Sequence, residues 1–167
     1  MARSRKTWAA GAALLALALV LVACGGSSKT DSTSGTKYEG ALGSPAASAK
    51  ATRTIEVHAG NNLRFMPDTI AVKVGETVTF KVVNDATVQH DFTLGDQTMQ
   101  DDHEKEMASM SSSGSMDMGD EPNVIHIPAG QTKSLSWTFT KAGTTLYGCH
   151  EPGHYAAGMK GTITVSA

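Results

Sequence analysis

The most informative stretch of the chain reads Tyr147-Gly-Cys-His-Glu-Pro-Gly-His-Tyr-Ala-Ala-Gly-Met159. It places a thiol, an imidazole and a thioether five residues apart on one loop, at Cys149, His154 and Met159. Thiolate sulfur suits Cu(I), imidazole binds both oxidation states of copper, and a thioether suits a weak axial position. A second histidine from elsewhere in the chain would complete a copper site of the His₂Cys type with an axial methionine.

His90 is the best candidate for that second histidine, because it follows a loop that comes directly after a strong strand pattern. His58 lies in a predicted strand and should face solvent. His126 alternates with apolar neighbours and should lie on an outer strand face. His150 is adjacent to Cys149 in an extended segment, so its ring should point away from the thiol. The predicted metal ligands are therefore His90, Cys149, His154 and Met159.

These residues resemble the ligands of the cupredoxin family, whose members include plastocyanin, azurin and auracyanin. The Cys-x4-His-x4-Met spacing is similar to the longer ligand loops of auracyanin, and the resemblance covers roughly Thr54 to Val165. It implies one type 1 copper ion that carries single electrons. One departure is Asp91, since plastocyanin- and azurin-like proteins usually carry asparagine after the first histidine. A carboxylate there would add negative charge near the copper and favour Cu(II).

Several segments alternate apolar and polar residues with a period of two, which is typical of half-buried strands. The apolar positions are Ile70, Val72 and Val74; Val78, Phe80 and Val82; Leu135, Trp137 and Phe139; and Ile163 and Val165. Glycine-containing turn signals separate these segments. About eight short strands of this kind predict an all-β fold, a Greek-key β-sandwich.

One segment, from about residue 95 to residue 122, breaks the alternation. It contains His103 and is rich in Ser, Gly, Asp and methionine, with Met107, Met110, Met116 and Met118. This composition is too polar for a core, and it predicts a long Met-rich surface loop with a short helical turn around residues 101–110. The sequence leaves open whether this insert lies near the ligand loop. It also leaves open whether its methionines and His103 bind a second copper or are incidental.

The N-terminus carries the marks of a targeting segment. A basic start and an apolar run at Trp8–Val22 predict a signal peptide over residues 1–23. The sequence Leu21-Val-Ala-Cys24 resembles a bacterial lipobox. That resemblance implies a lipid on Cys24 and a position on the extracytoplasmic face of a bacterial membrane.

The predicted organisation has two further parts. Residues 24–51 are rich in Gly, Ser, Thr and Ala and predict a flexible lipid-anchored linker, and residues 52–167 form the cupredoxin domain. Lipidation of Cys24 would leave Cys149 as an unpaired thiol in an exported protein, and metal ligation would protect it from oxidation.

Charge excludes one class of partner. Residues 1–23 carry three of the 14 basic and none of the 16 acidic residues, so their removal leaves a net charge of −5. The chain has no basic stripe with interleaved aromatic residues, and we expect no nucleic-acid binding.

We therefore expect a monomeric, membrane-tethered blue-copper protein that carries single electrons between redox protein partners, which would dock near His154. The alternative is extracytoplasmic copper binding and delivery through the Met/His-rich insert. Copper oxidases and nitrite reductases use further His-rich sites that this sequence does not show, so we expect no enzymatic activity.

Overall fold

The computed structural model describes residues 39–113 and 121–167. Within these ranges the chain forms ten β-strands and one α-helix. The strands are β1 (Gly43–Pro45), β2 (Arg53–Ala59), β3 (Phe65–Met66), β4 (Thr69–Lys73), β5 (Thr77–Asn84), β6 (His90–Gly95), β7 (Val124–Ile127), β8 (Thr132–Phe139), β9 (Gly143–Gly148) and β10 (Lys160–Ser166). Helix α1 (Gln97–Ser113) lies between β6 and β7.

The strands form two five-stranded sheets, and both sheets mix parallel and antiparallel pairs. The first has the order β1-β8-β5-β2-β3 and the second has the order β4-β10-β9-β6-β7. Strands β2 and β5 pair in parallel in the first sheet, as β4 and β10 do in the second. The other described pairs are antiparallel. This arrangement confirms the predicted all-β sandwich.

The core lies between the two sheets and contains the apolar residues that the alternating pattern predicted to be buried. Phe80 of the first sheet packs on Phe92 of the second, with ring centroids 5.4 Å apart. Phe92 also stacks on Tyr147 at 5.0 Å. Val74 is the exception among the predicted core positions: it follows the end of β4 and is 41% exposed.

The insert contains a longer helix than the short helical turn that we expected around residues 101–110, because residues 97–113 are all helical. The Asp96 side chain accepts a hydrogen bond from the backbone N–H of Met99 and so caps its start. The side chains that α1 buries include Gln100 and His103, both polar. The sequence of this segment therefore lacks the apolar stripe by which an amphipathic helix is usually predicted. Residues 114–120, with Met116 and Met118, lie outside the described residues.

Part of the range that we assigned to the linker, residues 39–51, instead belongs to the sandwich. Residues 39–41 form a 3₁₀ turn, and β1 pairs with β8 through residues 43–45. The indole N–H of Trp137 donates to the carbonyl of Ala41, which is fully buried. Ordered structure thus begins upstream of residue 52.

Predictions for the N-terminus concern residues that the structure does not describe. The signal peptide and Cys24 fall in this part of the chain and stay predictions. In the ranges that the structure does describe, no helix combines the length and apolar character required to cross a bilayer.

Candidate metal centre

Three ligand atoms converge where β6 begins and β9 ends. The Nδ1 atoms of His90 and His154 are 3.2 Å apart. Cys149 Sγ lies 3.7 Å from Nδ1 of His90 and 3.3 Å from Nδ1 of His154. Their ligand atoms all lie within 4.8 Å of one another. Within residues 39–113 and 121–167, no other group of three or more His, Cys, Asp or Glu side chains is clustered in this way.

The spacing of these atoms fits a metal ion. The point in their plane that is equidistant from all three lies about 2.0 Å from each atom. Metal bonds to imidazole nitrogen and thiolate sulfur are roughly 2.0–2.3 Å long in well-characterised zinc sites. One thiolate with two imidazoles in a trigonal arrangement is the donor set of blue-copper centres. The residues present therefore fit copper.

His90 is positioned by the loop that precedes it. Asn84, at the end of β5, is buried, and its side-chain amide donates to the carbonyls of Val88 and Ile127, both at 2.8 Å. Its side-chain oxygen accepts from the N–H of Ala86 at 2.9 Å. These bonds fix the turn from β5 into β6, because they satisfy backbone groups that the turn leaves unpaired.

The ligand loop is closed by its own backbone. The N–H of Cys149 donates to the carbonyl of Met159, and the N–H of Met159 donates to the carbonyl of His154, both at 3.0 Å. Gly153 and Gly158 have φ values of 82° and 93°, which glycine adopts without steric cost. The loop thereby brings Met159 into the same buried cluster as Cys149. The axial role of its thioether stays a prediction.

The sequence model of copper binding proteins of the plastocyanin/azurin family matches residues 51–166. The chain belongs to this family. The match confirms the cupredoxin resemblance, and together with the His90–Cys149–His154 group it identifies copper as the cofactor, at one site.

Several known proteins are similar to the chain over most of its length. The copper-resistant cuproprotein CopI of Pseudomonas aeruginosa is 41% identical over 150 residues, which cover 75% of this chain and 82% of that protein. CopI of Rubrivivax gelatinosus is 38% identical over 123 residues, which cover 74% of this chain and 72% of that protein. A solved structure of auracyanin B aligns with a TM-score of 0.61 at 28% identity, and covers 75% of this chain and 96% of its own.

Asp91 joins the two ligand-bearing segments of this cupredoxin. Its backbone N–H donates to Cys149 Sγ at 3.4 Å. Its carboxyl group accepts from the backbone N–H of His150 at 2.9 Å and from the hydroxyl of Thr93 at 3.3 Å. Burial raises the pKa of Asp91 to about 8. In the metal-free protein, burial therefore disfavours the negative charge that the sequence led us to expect here.

Burial also keeps two of the ligands, Cys149 and His90, neutral in the metal-free protein. It raises the pKa of the Cys149 thiol far above its ordinary range. It lowers the pKa of His90, and the nearby His154 lowers that pKa further. Copper binding therefore requires the Cys149 thiol to lose its proton.

The histidines that we set aside lie apart from the three ligand atoms. His58 is exposed and bonds to Asp85 and Glu56. His126 is half-buried on β7, directly opposite Asp91. His150 points away from Cys149, as expected, but it is only 1% exposed because α1 covers it.

Sequence reasoning missed the contribution of α1 to the surroundings of the site. Gln100 and Glu104 lie one helical turn apart, and both bond to the ring of His150. The signal that could have found the helix is Asp96, a favoured N-cap residue, followed by 17 residues without Gly or Pro.

A cavity of about 310 Å³ opens between α1 and the ligand loop. It is lined by Glu104, Met107, Ala108, His150, Pro152 and Gly153. The Met-rich insert thus begins beside the metal centre, which answers the question of its location.

Proposed function

We propose that the protein is an extracytoplasmic copper-binding protein that contributes to copper resistance. The observation that carries the proposal is the trigonal convergence of His90, Cys149 and His154. The similarity to two proteins named copper-resistant cuproprotein, over about three quarters of this chain, supports the link to resistance. This proposal favours the alternative that we drew from the sequence, but it places the copper at the cupredoxin site.

Each proposed ligand has a distinct task. Cys149 would supply the thiolate, the two histidines would supply imidazole nitrogens, and Met159 would supply a weakly bound thioether. When bound, copper supplies a one-electron Cu(I)/Cu(II) couple. Cys149 and His90 are fully buried, so the protein would keep water away from the ion on that side.

Electron transfer is the second candidate function. It is favoured by His154, which is partly exposed while Cys149 and His90 are buried. The neighbouring residues Gly153, Ala156 and Ala157 are exposed and small. They would give redox protein partners a flat, weakly polar surface for transient docking near the copper.

Location and assembly complete the proposal. A lipid on Cys24 would hold the protein, as a monomer, on the extracytoplasmic face of a bacterial membrane, and the residues after it would serve as a tether. Neither candidate function requires the turnover of a substrate, so the proposed role is non-enzymatic.

Copper tolerance of living cells tests the first candidate. A strain that lacks the gene should be more sensitive to added copper, and the wild-type protein should restore tolerance. Cys149→Ser should fail to restore it, because the thiolate ligand is lost. His58→Gln is the matched control, since His58 is an exposed histidine bonded to Asp85 and Glu56, and it should restore tolerance fully.

The same strain separates the two candidates. A growth defect confined to high copper supports resistance. A respiratory or photosynthetic defect at ordinary copper, with normal tolerance, would instead support the electron carrier and contradict the resistance role.

A further inference from the structure

The side chain of His150 lies on the far side of the polypeptide from the copper ligands, under α1. Glu104 Oε2 is 2.6 Å from Nδ1 of this ring, and Gln100 Oε1 is 2.6 Å from Nε2. Both nitrogens of His150 therefore have partners on a single helix. The side chain of His150 is fully buried, whereas the side chain of Glu104 is 36% exposed to solvent.

The orientation of Gln100 is fixed by the sheet. Its side-chain amide donates to the carbonyl of Thr93 at 2.8 Å and to the carbonyl of Gly95 at 3.2 Å. Since the amide nitrogen is engaged by β6, the amide oxygen faces His150. Gly148 leaves room for this contact, because a Cβ there would lie 2.6 Å from Gln100 Oε1.

Two aromatic rings pack against the imidazole of His150. Tyr155 stacks on His150 with centroids 4.6 Å apart and planes 22° apart. His103 of α1 contacts it edge to face at 4.9 Å. The ring is thus held by hydrogen bonds in its plane and by packing above it, which leaves it a single orientation.

The backbone of the same residue leads to the metal centre. The N–H of His150 donates to the Asp91 carboxyl group, and the N–H of Asp91 donates to Cys149 Sγ. A continuous series of contacts therefore runs from Glu104 on α1 to the sulfur atom. Hydrogen bonds around the cysteine sulfur tune the potential of blue-copper centres, and partners beyond the ligands orient the ligands.

We propose that Gln100 and Glu104 of α1 are positioning residues for the copper site, and that they act on Cys149 through His150 and Asp91. They do not contact the metal. The inference rests on the proposed binding of copper at His90, Cys149 and His154. It gives the insert a second role besides covering the sheet, because α1 then sets the hydrogen bond to the thiolate sulfur.

The test compares the full-length wild-type protein with Glu104→Ala, Glu104→Gln and a control, Glu106→Ala, on the exposed side of the same helix. Each protein is loaded with Cu(II), and its affinity, thiolate-to-copper absorption band and electron paramagnetic resonance spectrum are measured. Glu104→Ala should lower Cu(II) affinity about tenfold and shift the band, as expected for loss of a partner beyond the ligands. Glu104→Gln should fall between, since its side-chain amide can still form a hydrogen bond with Nδ1, and Glu106→Ala should match wild type.

Amide hydrogen exchange in the metal-free proteins gives a second measurement that does not need copper. The N–H groups of His150 and Asp91 should exchange faster in Glu104→Ala than in wild type, and Glu104→Gln provides the comparison if the alanine variant does not fold. Variants that lose only stability, with unchanged affinity, band and exchange at these two amides, would overturn the inference and leave the copper proposal intact. A wild-type protein that binds no copper would overturn the proposed function, and this inference with it.

Discussion

Met159 is the proposed ligand whose bond to copper should be weakest, because a thioether in the axial position tunes the potential more than the affinity. We predict that Met159→Leu keeps copper and its colour while the reduction potential rises. Visible absorption and voltammetry of the purified protein measure both. Met99→Leu is the matched control, since Met99 packs against the core from α1 and should leave the potential unchanged. Loss of copper in Met159→Leu would show a structural or equatorial role instead.

The Asp91 side chain on β6 forms a hydrogen bond with the ligand loop and another within β6 itself. Asp91→Ala removes the acceptor for the His150 N–H and the Thr93 hydroxyl, both of which are buried. We predict a loss of about 1–3 kcal/mol in the free energy of unfolding of the metal-free protein, the usual cost of an unsatisfied buried group. Urea denaturation measures it.

Asparagine provides the control at the same position. Asp91→Asn keeps an oxygen acceptor for His150 and gains an N–H that can donate to the Thr93 hydroxyl. It should therefore retain most of the stability that the alanine variant loses. Equal losses in both variants would mean that these hydrogen bonds contribute little.

Helix α1 is the element for which the structure changes our expectation most. A polar, Gly/Ser-containing insert looks separable from the domain, yet Gln100 bonds to the carbonyls of Thr93 and Gly95 and His150 is buried beneath the helix. We predict that replacing Gln97–Ser113 with a short Gly/Ser turn lowers the free energy of unfolding by roughly 2–4 kcal/mol, from lost hydrogen bonds and packing. Urea denaturation of the metal-free protein is again the measurement, and an unchanged midpoint would show that the helix does not pack in solution.

At the scale of the whole molecule, copper should stabilise the fold. The ligands come from β6 and from the loop between β9 and β10, so the ion binds the folded chain far better than the unfolded one. At a free copper concentration of 1,000 times Kd, the expected gain is about 4 kcal/mol. Calorimetry with and without copper should show a higher Tm for the loaded protein. Cys149→Ser should lose most of this shift, and a full shift in that variant would place the copper elsewhere.

The proposed anchor also acts on the whole molecule. One acyl chain binds membranes only marginally, and stable anchoring takes more than one. A lipoprotein-type modification of Cys24 would supply at least two, so we predict that the wild-type protein remains with membranes after high-salt washing. Cys24→Ala should release the protein or leave its signal peptide uncleaved, while Cys149 still binds copper. A soluble wild-type protein without lipid mass at its N-terminus would contradict the anchor.

The sequence by itself determined the sandwich and the chemistry of the site. Alternation at Val78, Phe80 and Val82 specifies which face of β5 is buried, since side chains point to opposite sides of a strand. The spacing of Cys149, His154 and Met159 predicts a soft-metal loop, because a loop of eleven residues can bring its own ligands together.

Only the tertiary structure decided the surroundings of that site. His90 is 59 residues from Cys149 in sequence, and sheet pairing brings their ligand atoms to 3.7 Å. Strand β1 was missed, and only a short turn of helix α1, around residues 101–110, was predicted. The helix buries polar side chains that find their partners on β6 and on His150, and the strand is a three-residue addition to a sheet edge. The pattern of apolar residues predicts which side of a helix or strand packs against the core. A buried polar contact depends on a partner that is distant in sequence, so the local periodicity does not predict it.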